Sequence, residues 1–231
     1  KMDVRHQFAE FFGTCLLVFS FTSTNGDAFA TAAALFVAYA ITGLVSGGHF
    51  NPAVSIGYGF AKIVNKSQDK TEMCKWTMYI VSQLVGGLIG ALLAWALTDF
   101  THEIVTSASA NTGQVLLGEI LITAILVAMT IVIAEIPGSE LVGTLGAPIV
   151  TFIGIKAVGP VCGGAFNPAL GIMTNLVHVL DEGEGADLTD VWFWIVGPVI
   201  GGIIGALIFS AMKNAVQQAY GVHDNYQSLN K

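Results

Sequence analysis

Charge is what this chain has least of. Only 11% of its 231 residues are Asp, Glu, Lys or Arg, whereas soluble domains carry about 25%. So little charge excludes an ordinary water-facing surface over most of the molecule. Nothing in the composition suggests nucleic-acid binding. Three cysteines, Cys15, Cys74 and Cys162, fit neither a metal site nor a disulfide framework; Cys15 and Cys162 sit in apolar stretches and read as small packing residues. No nucleophile–base set and no His, Cys or carboxylate cluster is present, so neither an enzyme nor a bound metal or cofactor is expected. A cleaved signal peptide needs a basic start and a small-residue cleavage site; residues 1–7 are short, and the pattern that follows reads as a retained span.

In place of charge there is hydrocarbon. The chain is 54% hydrophobic, and six apolar runs approach the ~20 residues that span a bilayer: 8–23, 30–45, 77–97, 115–134, 142–161 and 191–212. Six crossings put both termini on one face. That face collects eight of the nine basic residues: Lys1, Arg5, Lys62, Lys66, Lys70, Lys75, Lys213 and Lys231. Positive residues mark the cytoplasmic side, so both termini are expected there. The opposite face carries Asp27, Asp99, Glu103, Asp181, Glu182, Glu184, Asp187 and Asp190, with no Lys or Arg. Lys156 falls inside the fifth run.

The sequence repeats itself. Gly47-Gly48-His49-Phe50-Asn51-Pro52-Ala53-Val54 matches Gly163-Gly164-Ala165-Phe166-Asn167-Pro168-Ala169-Leu170. Glu10 and Thr14 match Glu119 and Thr123, and Gly86-Gly87-x-x-Gly90 matches Gly201-Gly202-x-x-Gly205. The separations are 116 residues (51 to 167), 109 (10 to 119) and 115 (86 to 201). One domain, 1–231, is therefore expected, with repeats over about 8–97 and 115–212. Each repeat holds three spans, an odd number, so the second is inverted, and inverted repeats place a functional site near the midplane.

Each Asn-Pro-Ala box breaks an apolar run and starts a short helix, 51–62 and 167–180. Broken backbone at membrane depth is tolerated only where protein buries it or water wets it. Proline fits the first helical turn, and asparagine caps it with its side-chain oxygen. The NH2 groups of Asn51 and Asn167 are then expected to donate into a lumen and hold both lone pairs of one water, which interrupts proton hopping. Two helix N-termini, each carrying about half a positive charge, should repel cations there. Gly47, Gly48, His49 and Gly163 lie beside these starts and are expected to line the pore. For His49 two readings stand, a satisfied structural residue and a pH-responsive lumen residue. Glu10 and Glu119, acids inside spans, are expected to accept hydrogen bonds from the re-entrant backbone. Gly86/Gly90 and Gly201/Gly205 suit close helix packing. Gln83 reads as a structural hydrogen-bonder, and His102, His178 and His223 as uninformative.

The two boxes, the Glu10/Glu119 pair, the run Ser46–Val54, Gln83 with its glycines, and Gly197-Pro198 together resemble the aquaporins, or major intrinsic proteins, over nearly the whole chain. The resemblance implies an all-α membrane bundle of six spans and two re-entrant half-helices. It implies one pore per subunit, a homotetramer in the lipid bilayer, and passive flow of water or small neutral solutes (glycerol, urea, ammonia, hydrogen peroxide) without ions or protons. It also locates a second constriction, where this chain departs from the family. Leu170 stands in the place of the family's arginine, Ile155 in that of its histidine, Thr31 in that of its bulky aromatic, and Gly164 fills the fourth position. A wider or greasier filter with no fixed cation follows. Two alternatives remain at this stage, a coupled secondary transporter and a non-conducting junction protein plugged by Leu170 and Ile155.

Overall fold

The computed structural model describes residues 3–65, 70–136, 138–183 and 188–221, and among these every regular element is helical. Lys1, Lys66, Glu184, Asp187, His223 and Lys231 lie outside them. The elements are α1 (Val4–Ser23), α2 (Ala28–Ser46), α3 (Pro52–Val64), α4 (Lys70–Thr98), α5 (Thr112–Glu135), α6 (Glu140–Ala157), α7 (Gly159–Cys162), α8 (Pro168–Glu182) and α9 (Phe193–Ala219). Four of these segments are long and apolar enough to cross a membrane, within α2, α4, α5 and α9. The more polar α1 and the shorter α6 complete the six. α1 packs along α4 as α5 packs along α9, and α6 lies against α2 and α5.

Local chemistry sets the ends. Asp3 caps α1 by accepting from the Arg5 amide at 3.0 Å, so this helix begins earlier than its apolar run. Asp27 caps α2 through the Ala30 amide at 2.8 Å, and Asn111 and Gln114 form a reciprocal capping box at the start of α5. α6 ends at Ala157, short of the expected 161, because Pro160 has no N–H to carry the ladder back to the Lys156 carbonyl and its ring crowds that carbonyl; Gly159-Pro160 instead starts the short α7. Lys156 therefore sits exposed in the last turn of α6, at the far face rather than inside a span. That face is not free of basic residues, contrary to the sequence reading.

The bundle is polar within and apolar without. Glu10, Thr14, Gln83, Glu119, Thr123 and Thr130 are fully buried, whereas Ile41, Leu93, Leu117, Ile149 and Leu207 stand exposed on outer faces. In water so much exposed apolar surface would be costly; against lipid tails it is the stable arrangement, because the hydrocarbon core accepts apolar side chains and leaves polar groups to be paired inside the protein. Small residues bring the helices together. A Cβ on Gly90 would lie 2.4 Å from the Cys15 carbonyl oxygen, and one on Gly205 would lie 2.4 Å from that of Ala124.

The half-helices α3 and α8 have 13 and 15 residues. At 1.5 Å per residue each reaches about 20 Å, short of the ~30 Å hydrocarbon core. They exchange partners between repeats. α3 packs on α9 of the second repeat, and α8 on α4 of the first. Gly202 makes room for the Ala53 carbonyl and Gly87 for that of Ala169; an added Cβ would approach those oxygens to 2.6 and 3.1 Å.

Candidate functional site: two crossed half-helix starts

Asn51 and Asn167 are the N-caps of α3 and α8, each followed by proline. Asn51 Oδ1 accepts from the Ala53 amide at 2.8 Å, and Asn167 Oδ1 from the Ala169 amide at 3.0 Å. Their amide nitrogens cross over. Asn51 Nδ2 donates to the Phe166 carbonyl at 2.8 Å, and Asn167 Nδ2 to the Phe50 carbonyl at 2.9 Å. Each NH2 carries two donors, so one is spent tying the boxes together. The sequence reading had left both for the lumen; the crossing takes one to tie each box to the opposing loop's carbonyl, and the Phe166 carbonyl also accepts from the Thr123 hydroxyl at 3.4 Å. Both asparagines remain 3% exposed, and both line the same cavity.

The loops before the boxes are held by carboxylates. Glu10 accepts from the His49 amide at 3.0 Å and the Phe50 amide at 2.7 Å. Glu119 accepts from the Ala165 amide at 3.1 Å and the Phe166 amide at 2.7 Å. Phe50 and Phe166 are left-handed, at φ 50° and 51°, an uncommon conformation for a bulky residue. Two hydrogen bonds to a carboxylate in each loop oppose relaxation to a common geometry. Gly47 and Gly163, at φ 95° and 89°, supply the turn out of the preceding helix. Gln83 Nε2 donates to Glu10 at 2.7 Å and to Ser55 Oγ at 3.0 Å. Tyr79 Oη donates to the Ser46 carbonyl and Trp194 Nε1 to that of Cys162, both at 2.8 Å.

Three cavities lie about this centre, each larger one sharing a lining residue with the middle one. The middle one is about 20 Å³, on a scale where one water needs about 10–15 Å³. The outer one, beside the loop before α5, is about 300 Å³, and the inner one, between the ends of α2, α5 and α6, is about 220 Å³. A narrow waist thus separates two roomy vestibules. The waist meets the outer vestibule at Ile155 and the inner one at Tyr39, each of which lines both.

Thr31, Ile155, Gly164 and Leu170 all line the waist. The Thr31 hydroxyl donates to the Asp27 carbonyl at 2.7 Å, and Leu170 is 2% exposed. No Asp, Glu, Lys or Arg lines the waist among the described residues, Lys156 included. His49 lines it while its Nδ1 lies 3.0 Å from Ser55 Oγ and its ring packs against Tyr58 and Tyr79, so it is a satisfied residue placed on the wall of the waist. Gly163 borders the outer vestibule and Gly47 the inner one. Gly48 borders none of the three; it lies against the Tyr39 ring instead.

Two histidines set aside as uninformative belong to the outer mouth. His178 Nδ1 is 3.0 Å from Thr101 Oγ1, whose hydroxyl donates to Asp181 at 2.8 Å, and His178 Nε2 is 3.7 Å from Glu103. His102 lines the outer vestibule and meets Phe21 edge-on. Burial first, and then the neighbouring His178 charge, lower its pKa to about 4.

Sequence reasoning missed the apolar wall of the waist. Leu35 and Tyr39 follow Thr31 at four-residue steps, and Thr151 precedes Ile155 by four. That spacing puts each set on one helix face, and it was available once Thr31 and Ile155 had been singled out.

The sequence profile of the Major intrinsic protein family matches residues 1–209. Aquaporin TIP2-3 of Arabidopsis thaliana is 30% identical over 189 residues, 79% of this chain and 69% of the relative. Aquaporin TIP2-2 of Zea mays is 30% identical over 232 residues, covering 90% and 86%. A probable glycerol uptake facilitator protein of Thermotoga maritima is 29% identical over 204 residues, covering 81% and 82%. The X-ray structure of the aquaglyceroporin from Plasmodium falciparum superposes with a TM-score of 0.75 at 21% identity, over 94% of this chain and 99% of that one. Profile, relatives and fold agree, and the chain belongs to the major intrinsic protein family.

Proposed function

We propose that this chain is a passive transmembrane channel for water and small neutral solutes. The observation that carries the reading is the crossed pair Asn51–Phe166 and Asn167–Phe50, set beside a small cavity that shares a lining residue with a larger one on each side. The remaining N–H of each asparagine donates to a molecule in the waist. Two such donors aimed at one water oxygen occupy its lone pairs and break the hydrogen-bonded file along which protons hop. The N-terminal ends of α3 and α8 face the same point, and their partial positive charges oppose cations.

The constriction is assigned to Thr31, Ile155, Gly164 and Leu170. With no fixed charge it discriminates by width and polarity, which admits glycerol or urea more readily than an arginine-bearing filter does. Glu10 and Glu119 serve as loop anchors. A coupled transporter needs ion ligands or a titrating relay at the midplane; these two acids already accept two backbone amides each, which favours the channel. The basic side chains of Arg5, Lys62, Lys75 and Lys213 on the face of the amino terminus support a cytoplasmic location for both termini. Residues 1–231 form one channel unit of repeats 8–97 and 115–212, and four copies assemble as a homotetramer.

Stopped-flow light scattering of proteoliposomes tests the reading. Water flux well above that of lipid alone, together with glycerol or urea flux that needs no ion gradient, is expected. Flux at the level of empty liposomes, or flux that requires an ion gradient, would refute it.

A further inference from the structure

We infer that Tyr39 forms a second, inner constriction, the inverted-repeat counterpart of the outer one, and that it sets the conductance and size limit of the channel. The inference rests on the channel reading above. Its ground is positional. Tyr39 and Ile155 are 116 residues apart, the separation that relates Asn51 to Asn167. Ile155 is the residue shared by the waist and the outer vestibule, and Tyr39 is the residue shared by the waist and the inner one. The same step of 116 relates Gly164 to Gly48 and Leu170 to Val54. The outer set Ile155, Gly164 and Leu170 therefore has an inner image in Tyr39, Gly48 and Val54.

The contacts repeat as well. A Cβ on Gly164 would meet Gly159 Cα at 3.1 Å and Ile155 Cα at 3.6 Å; one on Gly48 would meet Gly43 Cα at 3.4 Å and the Tyr39 ring at 2.5 Å. Each end thus has a helical residue whose space depends on a glycine in the loop that follows it in the same repeat. The inner end carries the larger side chain, and it is firmly held. The Tyr39 ring meets Phe50 edge-on at 5.2 Å, its hydroxyl lies 3.5 Å from Thr130 Oγ1, and the residue is 4% exposed. Tyr39 stands at the start of the π-helical turn Tyr39–Gly43 within α2, and single π turns inside α-helices are frequent at functional sites. The aromatic side chain that lines both the waist and the inner vestibule is bulkier than the isoleucine in the matching outer place, which is why the tighter limit is assigned to the inner end.

Tyr39→Ala and Tyr39→Trp are compared with the unaltered chain in proteoliposomes, with flux normalised to protein that elutes as folded. Tyr39→Ala is expected to raise water permeability several-fold and to raise the glycerol-to-water ratio, whereas Tyr39→Trp lowers both. A purely structural tyrosine would lose folded protein in both variants without moving the glycerol-to-water ratio in opposite directions. If the unaltered chain conducts and neither variant changes that ratio or the permeability, the inner constriction is refuted while the channel stands. If the unaltered chain fails to conduct, the channel reading itself falls.

Discussion

Asn51 Nδ2 lies 2.8 Å from the carbonyl oxygen of Phe166, 115 residues away in the chain (51 to 166), and Asn167 returns the bond to Phe50 at 2.9 Å. Each box is thereby fixed by the other. The donor that faces the waist from one repeat is aimed by the backbone of its counterpart, so neither amide can rotate without breaking a bond between repeats. That mutual constraint turns two ordinary helix caps into an oriented pair.

Asn51→Asp or Asn167→Asp should therefore fail in two ways. The replacement puts a carboxylate oxygen against a carbonyl oxygen where a donor had been; the Phe50 carbonyl then loses its side-chain donor, and the Phe166 carbonyl keeps the Thr123 hydroxyl at 3.4 Å. We expect a loss of about 1–3 kcal/mol of stability, with water flow stopped or cations admitted. Wild-type water flux with no cation current in both variants would argue against the crossed pair as the oriented donor.

Glu10→Gln and Glu119→Gln should loosen the loops more than they alter the lumen. Each places an NH2 group against a backbone N–H, removing a charge-assisted hydrogen bond worth about 1.5–3 kcal/mol. Lower melting temperatures in detergent are expected for both, with the larger drop for Glu10→Gln, because Glu10 also accepts from Gln83 Nε2. A variant that instead made solute flux depend on a proton gradient would revive the transporter alternative.

Leu170→Arg should narrow selectivity toward water. Leu170 lines the waist, where no charged side chain stands among the described residues, and a guanidinium there would add donors and reduce the width. Glycerol and urea flux should fall relative to water flux in stopped-flow traces. Unchanged ratios would remove Leu170 from the constriction.

The resemblance of the two halves was legible because Asn-Pro in an apolar run is chemically conspicuous, and the match of Glu10 to Glu119 identified both loop anchors. Thr31, Ile155, Gly164 and Leu170 were legible only through the family pattern. Tyr39 was legible only at second hand, by its four-residue steps from Thr31 through Leu35; by itself an aromatic in a hydrophobic run looks like core. Tyr79 and Trp194, which hold the Ser46 and Cys162 carbonyls, were hidden for the same reason. The end of α6 was misjudged because hydropathy continues through Gly159-Pro160 while backbone geometry does not. Lys156 then moved to the outer face with that boundary.

The outer mouth should respond to acid. In the folded loop His102 stays neutral down to about pH 4, held low by burial and by the His178 charge, whereas an exposed histidine takes up its proton near 6.5. Between those values the open loop binds more protons than the closed one. Its stability is therefore full above about pH 6.5 and is lost as pH falls toward 4. Hydrogen exchange over residues 99–106, corrected for intrinsic rates, should show weaker protection at pH 5 than at pH 7.5, and His102→Gln should flatten the difference. Equal protection at both values would contradict this account of the loop.

Simultaneous recording of water and proton flux in one population of proteoliposomes tests the paired amides most directly, with scattered light reporting volume and an enclosed pH dye reporting protons. The account predicts rapid osmotic shrinkage with proton entry no faster than through lipid alone. Proton entry that rises in step with water flux would contradict it.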